Sequence, residues 1–89
     1  MNVYRLDPID PGHPSWRHSM EKDTVWAGAP TAQDARNFVA AKTKLAAPGA
    51  AGFESPWLDA AVTSCVWEPS MTHISAGTVV RADGSIVGH

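Results

Sequence analysis

Cys65 is the single cysteine of this 89-residue chain and its one candidate for a soft nucleophile. A nucleophilic thiol needs a lowered pKa, which a helix N-terminus or a neighbouring His or Lys supplies. His73 follows in the chain, so a turn between the two residues would place an imidazole beside the thiol. Against this, a free cysteine in a strand-like run most often fills a buried position. A site of Cys65, His73 and a tryptophan is therefore the alternative hypothesis, for a small-molecule binding protein or a minor enzyme.

Other catalytic or cofactor-binding patterns are missing from the sequence. The histidines match no HxxxH or HExxH spacing for a metal, the glycines form no phosphate-binding loop, and no Gly-x-Ser-x-Gly occurs. We therefore predict no catalytic residues, no bound metal and no cofactor, and the interpretation leans away from an enzyme. The four histidines are His13, His18, His73 and His89.

Four tryptophans in so short a chain are its most unusual feature. Trp16 and Trp57 each follow a proline closely, and an indole held by a stiffened loop loses little entropy on binding, which suits an interface. The alternative is that both loops fold down and the indoles plug the edges of a thin core. Trp26 and Trp67 stand in strand-like runs and are predicted to be core residues.

A helix is predicted over about 31–45. It begins at a capping box, Thr31-Ala32-Gln33-Asp34, in which the threonine hydroxyl accepts an amide at the third helical position. Pro48-Gly49 ends it. A connection rich in small residues follows at 46–56, and we expect it to be mobile. The apolar face of the helix is Ala35, Phe38, Val39, Ala41 and Leu45.

Short β-branched and aromatic runs predict strands before and after this helix. The run over 57–67 is ambiguous: it fits a strand preceded by one turn of helix, or a helix that starts at Ser55-Pro56. Asp83-Gly84 between two β-branched runs predicts a hairpin. The order β-β-α-β-β-β predicts one small α+β domain over residues 1–89, a two-layer sandwich with a mostly antiparallel sheet. The strands are expected at 3–6, 24–29, 60–67, 78–81 and 85–87.

Charge and hydropathy exclude several classes of protein. Seven Lys and Arg against nine Asp and Glu, without a basic cluster, argue against a nucleic-acid partner. No run of 18 apolar residues exists, so no membrane span is predicted. The first residues lack the basic start and apolar core of a signal peptide, which predicts a cytoplasmic protein.

The leading hypothesis is a non-catalytic protein-interaction module, either a homodimer or a subunit that binds another protein. Fourteen of the apolar residues are alanine, so the core is thin, and the edges of the sheet invite pairing. We expect the contact at the two proline-flanked tryptophans and at the strand edge over 78–81. The expected contact residues are Trp16, Trp57, Thr78, Val80 and Arg81.

Overall fold

One α-helix packs on a four-stranded antiparallel sheet in the computed structural model, which gives the α+β class that the sequence predicts. The structure describes residues 2–43, 55–71 and 73–87, with only the backbone of His18. The elements are β1 (Asn2–Pro8), β2 (Val25–Ala29), α1 (Ala32–Thr43), β3 (Thr63–Trp67) and β4 (Val79–Arg81), with 3-10 helices at Pro14–His18 and Pro56–Leu58.

The strand order β3-β1-β2-β4 puts β1 in the interior of the sheet. Tyr4 pairs with Ala27 of β2 and with Trp67 of β3, which fixes both registers. Directly paired residues share a face of the sheet and alternate residues lie on opposite faces. We call the face under α1 the helix face and the other the open face. The helix face carries Leu6, Val25, Ala27, Cys65 and Val79; the open face carries Val3, Arg5, Trp26, Val66 and Val80.

Helix α1 begins as the capping box predicts, because the Thr31 hydroxyl accepts a hydrogen bond from the Asp34 amide at 3.1 Å. Its buried residues are Ala35, Val39 and Thr43, spaced by four, so the stripe on the sheet is narrow. Ala41 lies two positions from that stripe and is exposed, so its assignment to the apolar face is wrong. Within the described ranges, no helix combines the length and apolarity needed to cross a membrane.

Both 3-10 helices begin at a proline. Proline suits this position because the N–H that it lacks would have no acceptor within the helix. The second settles the ambiguous run: one turn at Pro56–Leu58 precedes strand Thr63–Trp67, as the strand alternative predicts. Ser55 caps the turn by accepting from the Trp57 amide at 3.3 Å. The connection predicted to be mobile, 46–56, lies outside the described residues except for its last two.

The hairpin after β4 forms at the predicted turn, with Gly84 at φ 88°. The returning arm, however, is a single antiparallel bridge between Val80 and Ile86, so the strand expected at 85–87 is wrong. The Ser85 amide donates to the Asp83 carboxylate at 2.9 Å, which closes the turn. This amide is therefore not available for backbone pairing between the returning arm and β4. Because this arm covers β4, the edge over 78–81 is not open to a partner.

Candidate functional site

Trp16 and Trp57 are buried against each other, with ring centroids 5.1 Å apart and planes at 86°. The Trp16 indole N–H donates to the Asp10 carbonyl at 2.8 Å, and that of Trp57 to the Ser19 hydroxyl at 2.9 Å. Each polar atom is thus satisfied where it is buried. The expectation that these tryptophans are exposed contacts is wrong, and the alternative, that they plug a thin core, is confirmed.

Trp67 is the tryptophan that the fold exposes. It ends β3, the outermost strand, and 59% of it is exposed, so its assignment to the core is wrong. Its neighbour Val66, on the open face, is 50% exposed. No strand of the described residues pairs with the outer side of β3, and Thr63–Trp67 contains no charge, proline or glycine. We call this outer side, with Val66 and Trp67, the β3 edge; it lacks the devices that usually protect a sheet edge.

Cys65 and His73 are not brought together. Cys65 lies half-buried on the helix face, where its thiol donates to the Ala32 carbonyl at 3.7 Å. His73 is exposed and lines a groove on the open face, with Trp26 as a neighbour. The sheet separates the thiol from the imidazole, so the alternative site of Cys65, His73 and a tryptophan is not assembled.

The environment of Cys65 suppresses its reactivity. Burial raises the pKa of the thiol, and the positive charge of Arg36 opposes this only in part. The thiol therefore stays protonated at neutral pH and is a poor nucleophile. Above the ordinary thiol pKa of about 8.5 the unfolded chain ionises first, so stability should fall as the pH rises from there towards the raised folded pKa.

We expect iodoacetamide to label Cys65 in the folded protein at pH 7 at least about tenfold more slowly than in urea, because the thiolate is rare and half covered. Mass spectrometry over time measures both rates. Labelling at the rate of the unfolded chain would contradict the assignment of Cys65 as a structural residue.

A groove of about 610 Å³ lies on the open face, at the β4 side of the sheet. Its floor includes Trp26, Val80 and Ile86, which the β2–β4 register and the Val80–Ile86 bridge place side by side. Met71 and Ile74 add an apolar wall. Four residues named in the sequence analysis line this groove. Thr78, Val80 and Arg81 were expected contact residues, and His73 belonged to the alternative site.

The wall of this groove belongs to a segment that crosses the open face, residues 73–78, which we call the crossing segment. It is held at Gly28, whose amide donates to the Thr78 carbonyl at 3.0 Å and whose carbonyl accepts from Gly77 at 2.8 Å. Ile74, a residue of this segment, is buried, and it does not belong to the core cluster under α1. Sequence reasoning missed the crossing segment; the signal was Gly28 itself, since glycine inside a strand often marks a close backbone approach.

The described lining of the groove contains no Asp or Glu. Arg81 pairs with Val25, so its side chain leaves the strand on the helix face. There Nη1 donates to the Ser85 hydroxyl at 3.1 Å and to the Ile86 carbonyl at 3.3 Å, while Nε pairs with Glu21. His73 supplies another donor. The indole N–H of Trp26 is buried and has no acceptor among the described residues, a state that costs about 1–3 kcal/mol.

The described surfaces differ in what they offer a partner or ligand. The thiol is protonated and away from the imidazole, and the described residues contain no group of three His, Cys, Asp or Glu side chains placed to hold a metal ion. The β3 edge offers backbone pairing, and the groove offers an apolar floor with donors at its margin. Comparison with protein-family models, with curated proteins and with solved structures found no match.

Proposed function

We propose that the protein is a non-catalytic interaction module that pairs through the β3 edge, with a second copy of itself as the partner. The observation that carries this proposal is an outermost strand with no charge and no proline, on which Val66 and Trp67 are both exposed. A cytoplasmic location and the lack of a nucleic-acid partner stay predictions from the sequence.

Backbone geometry supports self-pairing. An edge strand presents unpaired N–H and C=O groups, and two copies related by a two-fold axis can satisfy them with an antiparallel ladder. The two four-stranded sheets would then join into one. Val66 lies on the open face and Trp67 on the helix face, so both sides of the junction would gain apolar contacts.

The expected affinity is low. A five-residue strand with two exposed apolar side chains buries less than the roughly 1,200–2,000 Å² of a standard stable interface. We therefore expect a dimer that forms in the micromolar range or above and dissociates on dilution. A partner protein that adds a strand to the same edge would use the same backbone groups.

Val66→Lys should abolish dimerisation without unfolding the protein, because a lysine on an edge strand disfavours pairing while Val66 is already half exposed. Light scattering across a concentration series measures the mass. We expect the original chain to approach twice its monomer mass and the variant to keep the monomer mass. The emission of Trp67 should shift to the blue only where the dimer forms.

Met20→Lys is the matched control, since Met20 is 69% exposed but lies outside β3. It should dimerise like the original chain. If the original chain stays monomeric at millimolar concentration, or if both lysine variants weaken the dimer equally, pairing with a second copy at the β3 edge is refuted.

A further inference from the structure

We infer that two copies of the chain pair in one particular register, with the two-fold axis of the dimer at Val66, so that this valine contacts its counterpart. The inference rests on the proposed function, because it specifies how the β3 edge joins a second copy. Val66 then determines self-recognition, since any substitution there is present on both sides of the axis.

Hydrogen bonds to β1 show which backbone groups of β3 point outward. The Glu68 amide donates to the Val3 carbonyl at 2.8 Å. The Ile9 amide donates to the Val62 carbonyl, also at 2.8 Å. Both pairs continue the β1–β3 register. Because bonding alternates along an antiparallel strand, the even-numbered residues of β3 bond to β1, whereas 63, 65 and 67 direct their N–H and C=O groups outward.

The outward groups that are free limit the possible registers. The Thr63 amide is occupied, since it donates to the Asp59 carbonyl at 2.9 Å. Among the described residues, no backbone partner is found for the Thr63 carbonyl or for either group of Cys65 and Trp67. An antiparallel copy must place outward residues opposite outward residues. The registers with the axis at Cys65 or at Val66 satisfy equal numbers of these groups, and more than any other register.

Side chains decide between these two registers. With the axis at Cys65, Val66 would lie opposite Ser64 of the second copy, and Trp67 opposite Thr63, which is fully buried. With the axis at Val66, the two valines, each 50% exposed, meet on the open face. They form a non-hydrogen-bonded pair, in which side chains approach most closely. Trp67 then lies opposite Cys65 on the helix face. Apolar side chains therefore meet apolar ones only with the axis at Val66.

Val66→Cys, made together with Cys65→Ser, tests the register by disulfide formation. Directly opposite Cα atoms lie about 4.5–5.5 Å apart, a distance that a disulfide spans. Glutathione disulfide is the oxidant: it reacts with two protein thiols to give one protein disulfide and two molecules of reduced glutathione. Non-reducing electrophoresis over time measures the linked dimer.

Ser64→Cys, again with Cys65→Ser, is the matched control, because Ser64 also lies on the open face of β3. Its thiols would not be opposite each other, so the Val66→Cys protein should link at least about tenfold faster. The original chain should not link, since diagonal neighbours such as the two Cys65 residues have Cα atoms about 7–8 Å apart.

Val66→Lys and Val66→Glu test the same register without a thiol. In either variant alone, like charges face each other across the axis, whereas in an equal mixture a lysine faces a glutamate. We expect the mixture to dimerise with a Kd at least about tenfold lower than that of either variant alone. Sedimentation velocity measures the masses.

The register and the dimer fail separately. Linkage of the original chain through Cys65, or equal linkage of the two double variants, would overturn the register in a chain that still dimerises. A mixture of the lysine and glutamate variants that pairs no better than either alone would also overturn it. An original chain that stays monomeric at millimolar concentration would refute the proposed function and the register with it, and light scattering on the same samples identifies that case.

Discussion

Trp57→Ala is expected to lower the free energy of unfolding by about 3–5 kcal/mol, the range for truncating a large buried aromatic side chain. Trp57 is fully buried, meets Trp16 edge to face, and donates its indole N–H to Ser19. Its carbonyl accepts from Arg36 at 3.0 Å, so the same residue ties the 3-10 helix to α1. For a domain of this size such a loss is a large share of the total stability.

Urea unfolding followed by circular dichroism measures the change, in dilute samples where the protein is monomeric. Trp67→Ala is the matched control, because it is the same substitution at an exposed position and should change stability by no more than about 0.5 kcal/mol. Equal losses in the two variants would contradict the burial assigned to Trp57.

Gly28→Ala is expected to detach the crossing segment from the open face. A methyl group at Gly28 would lie 2.7 Å from the Ile74 carbonyl oxygen and closer still to that of Ser75, and both are backbone atoms that cannot rotate away. The two hydrogen bonds that hold the segment would lengthen or break. We expect a loss of about 3 kcal/mol, which for a domain of this size lowers Tm by about 10 °C or more.

Thermal unfolding measures the loss, and hydrogen exchange of the Gly77 amide, which donates to the Gly28 carbonyl, reports on the segment itself. Gly12→Ala is the control. Its added methyl would meet only the Asp10 carboxylate, at 4.0 Å, and its stability should stay within about 0.5 kcal/mol. Unchanged protection of the Gly77 amide in Gly28→Ala would refute the close approach.

Local signals in the sequence predicted the local structure well. The capping box placed the start of α1 to within one residue, because the hydroxyl of Thr31 and the amide of Asp34 are three residues apart. Asp83-Gly84 predicted the turn, since both the side-chain acceptor and the positive φ belong to the turn itself. In each case the energy that selects the conformation comes from residues adjacent in the chain.

Burial of the tryptophans could not be predicted in the same way. Trp67 carries a strand pattern, but whether a strand lies inside a sheet or at its edge depends on the order β3-β1-β2-β4. Trp16 and Trp57 carry a loop pattern, yet partners distant in sequence bury them together. A pattern reports the conformation of a segment, whereas exposure depends on what packs over it.

For the candidate surfaces, too, the sequence predicted local conformation but not which residues lie together. His73, Thr78, Val80 and Arg81 were each singled out, but their convergence in one groove depends on the crossing segment, which has no periodicity to reveal it. Cys65 fitted a strand, and its separation from His73 follows only from the register with Leu6, which puts it on the helix face.

The position of β1 in the sheet also bears on how fast the chain folds. Its pairing with β2 joins residues 19 to 27 apart in the chain, whereas its pairing with β3 joins residues 55 to 63 apart. The second ladder closes a loop of more than fifty residues, and topologies dominated by such distant pairs fold slowly. Until that loop closes, the inner strand of the native sheet is itself an edge. In newly made molecules the edge of β1, which β3 covers in the finished fold, is therefore exposed for a period in which the chain can aggregate.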